Sequence, residues 1–443
     1  VTQMTVENWP EFEAYVTKRM DEEQIPGVAI AVAKNGTVVY ERGFGYADLQ
    51  TKRPIGPDTL FGCGSVTKSL TVMALLSLVE AGRLSLDDPV CAHLPEFKLC
   101  GMDDPGMVKV HHLMSHTSGL PPLPRKPEIN RLEDHLTYIA GQEYELLGKP
   151  GEYFSYSNDA FLLQGAIIER LTNRLYRRFV TETILSPLGM HRSTYSLEEI
   201  AKMADVSVPY MKNNETGKLE AVPWPSLGNY EVGGGLRSTV NDLLRYGAAF
   251  VGGENPVASE ELLRKMWQPV HQVGRKQFYG LALEIVPDYS GVTLVSHGGS
   301  QQGVSSCFGF VPEQGLVAAV LINATDMPAG DIWLAAVNRA LGLPLTQKAS
   351  QEPHYTATKE QLEKLAGTYQ SREGGSLQIE LAQDKPTLVF GGERYDLRAS
   401  DSQTLVMEKD EYPIRFFAND DEPAWAAFFG FRMWTRQEKG RKA

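Results

Sequence analysis

Residues 61–70, FGCGSVTKSL, decide how the rest of the chain is read. An irregular, glycine-containing segment gives way to good helix formers, and Gly82 supplies a C-terminal stop, which predicts a helix from Ser65 to Ala81. Positions i and i+3 share one helix face, so Ser65 and Lys68 point the same way about one turn apart. Ser65 stands at the helix start, where free N–H groups and the positive dipole end favour a developing anion. A serine hydroxyl is a poor nucleophile until a base takes its proton. Lys68 can be that base only as a neutral amine, which burial and nearby cations favour. The helix it opens is strongly apolar and is expected to be buried. Taken alone, the pair reads more readily as an N-capping serine and a solvated lysine, since about one or two S-x-x-K matches arise by chance in a chain this long.

Upstream, residues 6–25 read as an amphipathic helix ending before Pro26-Gly27. VAIAVAKNGTVVYERGFG, residues 28–45, is two β-rich runs around Asn35-Gly36, a strong hairpin signal. Downstream, residues 83–275 are mostly helical with long Pro- and Gly-rich loops. A helix runs from Phe161, and another follows Leu236 with Ser238 or Thr239 as N-cap and Asp242 in the first turn. Four strand-like runs return at 279–323, the last two joined by PEQG, and residues 329–343 form a helix. This order is met by an α+β fold: one antiparallel sheet made from both chain ends, flanked by helices and carrying a large helical insertion.

Residues 346–360 are polar and read as a linker. Beyond them, eight short β-runs separated by polar turns predict a small antiparallel barrel or sandwich. The expected organisation is an α+β domain at 1–345, the linker, and an all-β domain at 361–443. The aromatics Trp425, Phe428, Phe429, Phe431 and Trp434 read as its core, a pocket wall, or a patch that docks on the first domain.

The 443-residue chain carries a formal net charge of −12, which argues against a nucleic-acid or anionic-membrane partner. No stretch of 18 apolar residues suggests a spanning helix, so no membrane partner is expected. The first residues lack a signal-like pattern, although the chain starts at Val1 and a removed leader stays open. Four cysteines without metal spacing read as buried reduced thiols and lean the localisation toward the cytoplasm. His111, His112 and His116 share a loop without ligand spacing, so no metal is expected. Arg237 reads as a surface or helix-start arginine, with a place near His297 as the alternative.

Two further stretches carry chemistry. PGEYFSYSNDA, residues 150–160, puts Tyr156 and Asn158 in a polar turn. A phenol near cations ionises more easily and can shuttle protons, and a carboxamide can hold a substrate amide. TLVSHGGSQQG, residues 293–303, is a strand running into glycines after His297, where a ligand backbone could approach closely.

With S-x-x-K, Y-x-N and H-G-G in this order, the chain resembles the serine β-lactamase and penicillin-binding protein superfamily. Its Y-x-N form is similar to the class C branch and to the D-stereospecific peptidases, DD-carboxypeptidases and esterases related to it. MSHTSGLP at 114–121, GGGLRSTVNDLLRYG at 233–247 and YGLALEI at 279–285 extend the resemblance over roughly residues 10–342. Residues 360–436 resemble, by composition, the lipocalin-like barrel appended to some family peptidases. The resemblance implies Ser65 as acylated nucleophile, Lys68 as its proton relay, and Tyr156 as proton shuttle to the leaving group. Asn158 would hold the substrate amide, and the N–H groups of Ser65 and Ser300 would form the oxyanion hole. His297, Gly298 and Gly299 align with K-T-G. His297 replaces a lysine and Gly298 a hydroxyl residue, and both changes weaken recognition of a substrate carboxylate. The implied activity is cleavage of an amide or peptide bond, for example in a D-amino-acid-containing peptide, through a Ser65 acyl-enzyme and without a cofactor. An esterase, an acyltransferase, a β-lactamase or a non-turning-over penicillin sensor would use the same residues. The expected partners are a small-molecule or peptide substrate and, through the C-terminal domain, a second copy of the chain.

Overall fold

The computed structural model describes residues 9–253, 255–383, 385–419 and 421–437. Its larger part is built on a nine-stranded antiparallel sheet. The first hairpin, Gly27–Lys34 with Thr37–Asp48, turns at Asn35 and Gly36, both at positive φ as a tight two-residue turn requires. Gly27–Lys34 then pairs with Leu316–Ile322, so strands from both ends of this part lie side by side. Almost every residue of these two strands is buried, because helices cover both sheet faces.

One face is covered by Trp9–Glu23 and Ala329–Leu341. Of the helix expected at residues 6–25, residues 6–8 lie outside the described residues. The other face meets Val240–Ala248, where the sheet comes so close that a Cβ on Gly247 would lie 2.2 Å from Val317 Cγ1. Thr239 caps this helix, its hydroxyl accepting from the Asp242 N–H at 3.1 Å. Beyond it lies the helical region, centred on Thr67–Glu80 and Asn158–Thr172. Thr67–Glu80 is buried on nearly all sides, which its apolar sequence requires. Its start differs from expectation: Gly64–Val66 is a single 3₁₀ turn, and the α-helix begins at Thr67.

The run expected at 279–287 is two strands, Phe278–Tyr279 and Glu284–Tyr289. Ala282 sits at φ +58° and donates its N–H to Met114 O, so the extended backbone breaks between them. The insertion also holds a hairpin, Tyr210–Lys212 with Leu219–Ala221, in a region read as helix and loop.

The C-terminal part is a closed eight-stranded antiparallel barrel from Gly367–Gln370 to Arg432–Arg436. Each of the eight β-runs contributes one strand. Side chains of alternate residues, among them Leu377, Ile379, Leu388 and Phe416, fill its interior. A short helix, Lys359–Leu365, begins inside the stretch read as linker. A reciprocal cap between Thr358 and Gln361 starts it.

The aromatic runs divide by role. Trp434 and Phe429 belong to the barrel core. Trp425, Phe428 and Phe431 instead meet Tyr153 and Phe154 of the first part. The turn after Phe429, with Gly430 and Phe431 both at positive φ, reaches furthest: Phe431 O accepts the Tyr156 N–H at 2.7 Å. Arg275 adds ion pairs to Glu352 and to Asp401 of the barrel.

Candidate active site

The turn Gly64–Val66 presents Ser65 at the mouth of the buried helix. One turn on, Lys68 is fully buried. Its Nζ donates to Ser65 Oγ at 3.2 Å, to Asn158 Oδ1 at 2.9 Å and to Gly233 O at 2.9 Å. Three acceptors use all three protons of an ammonium, and a neutral amine could instead accept from the serine hydroxyl. Burial favours the second. It drives the Lys68 pKa well below that of an ordinary lysine, and the nearby Arg125 and Arg432 push the same way. The surroundings of Lys68 thus favour its neutral amine over its ammonium.

Tyr156 comes from the loop that leads into the helix Asn158–Thr172. Ser157 caps that helix through Ala160 N at 3.1 Å, which fixes Tyr156 before the cap and Asn158 in the first turn. The Tyr156 ring lies 4.8 Å from Lys68 Nζ and 5.1 Å from the Arg432 guanidinium. Two cations beside a phenol led to the expectation of easier ionisation. The structure overturns it: burial pushes the pKa up, and the Ser65 hydroxyl and Arg432 only partly counter that. Tyr156 rests as a neutral phenol facing Ser65.

His116 holds this phenol from below. Its ring stacks on Tyr156 at 4.2 Å, its Nδ1 accepts the Ser157 N–H at 2.9 Å, and its carbonyl accepts the Ser155 N–H. Sequence reasoning had placed it with His111 and His112 without a role. The structure separates it from them: its ring packs on Tyr156, while His111 and His112 pack on each other. Among the described residues no three His, Cys, Asp or Glu side chains converge as a metal site would need.

The strand Val292–Gln301 forms the other wall. It pairs with Val304–Val311 through Gln301, but with Glu284–Tyr289 only as far as Ser296. Residues 297–301 thus leave one edge open beside Ser65. A Cβ on Gly299 would lie 2.1 Å from Cys63 O and 3.0 Å from Ser65 N, and one on Gly64 would lie 3.0 Å from Ser300 N. The strand and the Ser65 turn touch, and only glycine fits at position 299. His297 is buried, with Tyr279 Oη at 2.9 Å from Nε2 and Gly298 O at 2.6 Å from Nδ1. Nδ1 has only an acceptor facing it, so it carries the proton and Nε2 accepts from the phenol. Burial lowers the His297 pKa to about 4, so this position holds no cation. Beyond it, the Glu284 carboxyl takes the Gly298 N–H at the start of the open edge. Burial raises its pKa to about 7 against hydrogen bonds from Gly298 N–H and the Gln277 amide.

Ser65, Tyr156, Asn158, His297, Gly298, Gly299 and Ser300 all line one cavity of about 480 Å³. Phe431 lines it too, as the pocket-wall alternative for the barrel aromatics allowed, and so do Arg125, Glu284 and Arg432, which were not anticipated. Arg237 lies neither at the surface nor in the cleft. It is buried and donates to Tyr195 O and Gly235 O. Cys63 and Cys307 are buried and Cys91 and Cys100 half-buried, all as free thiols. Among the described residues no helix is long and apolar enough to cross a membrane.

The sequence model of the family described as Beta-lactamase matches residues 12–341. The chain is 33% identical over 199 residues to Protein flp of Staphylococcus aureus (strain N315), covering 44% of this chain and 40% of that one. It is 30% identical over 374 residues to a D-aminopeptidase of Gluconobacter oxydans (strain 621H), covering 81% of this chain and 65% of the relative. The chain thus spans two fifths of the length of the staphylococcal relative it matches. A solved octameric penicillin-binding protein homologue from Pyrococcus abyssi superposes with a TM-score of 0.74 at 29% identity, over 97% of this chain and all of that one.

Proposed function

From the premise that the chain belongs to the beta-lactamase family, we propose that it is a serine hydrolase cleaving an amide or peptide bond, as in a D-amino-acid-containing peptide, through a Ser65 acyl-enzyme. The observation that carries this reading is the fully buried Lys68 amine held 3.2 Å from Ser65 Oγ. Neutral Lys68 takes the serine proton as Oγ attacks the carbonyl. The N–H groups of Ser65 and Ser300 receive the oxyanion, a donor pair in which losing one member costs about 10²–10³ in rate. Tyr156 gives its proton to the leaving nitrogen and recovers one from Lys68, so the protons balance. Water then repeats the sequence in reverse and frees the acid. Asn158 holds Lys68 and offers its amide to the substrate. No step calls on a cofactor.

The relative named as a D-aminopeptidase supports the amide substrate over an ester. The barrel, read as lipocalin-like, would limit substrate length by the Phe431 turn that roofs the site. The octameric homologue supports assembly of several copies, which light scattering on the purified chain would measure. The reading is tested with a panel of D-alanine amide, p-nitrophenyl butyrate and a chromogenic cephalosporin, with Ser65→Ala as control. Amide hydrolysis lost in the control supports it. Turnover of the ester alone makes the protein an esterase, and a trapped adduct without turnover makes it a sensor.

A further inference from the structure

We propose that Arg125, Glu373 and Arg432 form a carboxylate seat built across the two parts of the chain, in which Glu373 positions both guanidiniums for the free carboxylate of the leaving group. The inference rests on the hydrolase reading and names the leaving-group class for it: the last residue of a short peptide whose C-terminus is free.

Three observations meet here. Glu373, in the first turn of the barrel, accepts Arg125 Nε on one oxygen at 3.0 Å and Arg432 Nε on the other at 2.7 Å. Arg125 belongs to the helical region and Arg432 to the barrel, so the carboxylate joins cations that neither part supplies alone. Both arginines line the cavity that contains Ser65 and Tyr156. Arg432 stands over the Tyr156 ring, which places it on the side where the phenol hands a proton to the departing nitrogen.

The charges fit an anion. Two guanidiniums side by side repel each other, and one carboxylate between them removes that repulsion while leaving a net positive charge. Glu373 stays ionised because Arg432 and Arg125 outweigh its burial. With Arg432 Nη1 on Gly430 O, Arg432 Nη2 and both terminal nitrogens of Arg125 have no hydrogen-bond partner among the described residues. The free Nη1/Nη2 fork of Arg125 can take a carboxylate in paired hydrogen bonds, and Arg432 Nη2 adds a single charged donor beside it. The seat also answers a gap in the strand motif. Neutral His297 and Gly298 supply neither the cation nor the hydroxyl with which a K-T-G strand would meet a carboxylate.

The test uses p-nitrophenyl acetate hydrolysis, inhibited by D-alanyl-D-phenylalanine or by its C-terminal amide. Any peptide that occupies the cleft competes, whether or not it is cleaved. The ratio of the two inhibition constants is taken on one preparation, so misfolded protein cancels. In the unaltered chain the acid binds about tenfold or more tighter than the amide, the range for a charge-assisted contact. Arg432→Gln and Glu373→Gln each bring the ratio below about threefold, and Glu373→Asp recovers part of it. A general loosening of the barrel contact would weaken acid and amide alike and leave the ratio in place. Equal inhibition by acid and amide in the unaltered chain, or an unchanged ratio in Glu373→Gln, overturns the seat while leaving Ser65-dependent ester hydrolysis intact. Ester hydrolysis that does not depend on Ser65 removes the hydrolase reading, and the seat with it.

Discussion

Gly299→Ala adds one methyl group at the point where the strand meets the turn that carries Ser65, the proposed nucleophile. The new Cβ would lie 2.1 Å from Cys63 O and 2.4 Å from Ser306 Oγ, whose hydroxyl itself donates to that same carbonyl at 2.7 Å. Ordinary contact needs the carbonyl to retreat by about 1 Å. The strand cannot retreat instead, because residues 295–301 are pinned in register to 304–310. Cys63 is two residues before Ser65, so the movement carries the nucleophile away from the Ser300 N–H. Overpacking of this kind costs about 1–3 kcal/mol of stability. Misplacing the nucleophile and opening the oxyanion pair costs more, about 10²–10³ in kcat/KM, or roughly 3–4 kcal/mol. Gly298→Ala is the matched control, since its Cβ meets nothing nearer than Ser306 O at 3.8 Å. The assay is p-nitrophenyl butyrate hydrolysis with a melting curve for each variant. Gly298→Ala should keep most activity, within about fivefold, as an open position allows. If Gly299→Ala turns over as fast as Gly298→Ala, the strand does not form the oxyanion site and the geometry has been misread.

Tyr156→Phe should lower turnover by about 10²–10⁴ with little change in melting temperature, because it removes a proton donor and no packing. Lys68→Met should lose a similar factor. In the unaltered chain the acid limb of the pH–rate profile, where activity falls as Lys68 takes up a proton, should lie far below pH ~10, where an ordinary lysine would put it, because burial favours the neutral amine. Glu284 gives a stability signature. Its folded pKa of about 7 lies above the ordinary 4.5, so the folded chain holds that proton more tightly. The stabilisation is complete below pH 4.5 and is lost as pH rises through 7, by on the order of 3 kcal/mol. Glu284→Gln should therefore melt higher than the unaltered chain at pH 8 and show little difference at pH 5, as calorimetry would read.

What the sequence made legible was local. The Asn35-Gly36 turn, the Thr239 cap and the alternation of the eight barrel runs each act within a few residues, and each element forms where those signals put it. Ser65, Lys68, Tyr156 and Asn158 could be singled out because each sits at a recognisable spacing beside a helix start. The ionisation of Tyr156 was misjudged for a physical reason: a sequence can suggest nearby cations but not how completely a side chain is desolvated, and desolvation won. Arg125, Glu373 and Arg432 escaped notice because nothing in their own neighbourhoods marks them. They meet only because the turn at Gly430 and Phe431 brings the barrel onto the loop at 153–156. His116 was hidden by company, being one of three histidines in a loop where only its ring stacks on the phenol.

The central claim is that Ser65 is a nucleophile made competent by a buried neutral lysine. Intact-mass analysis after exposure to a fluorophosphonate tests it directly. A single adduct on the unaltered chain, mapped to Ser65 and absent from Ser65→Ala, is the expected result. An unlabelled chain, or an adduct that survives the substitution, would contradict the account.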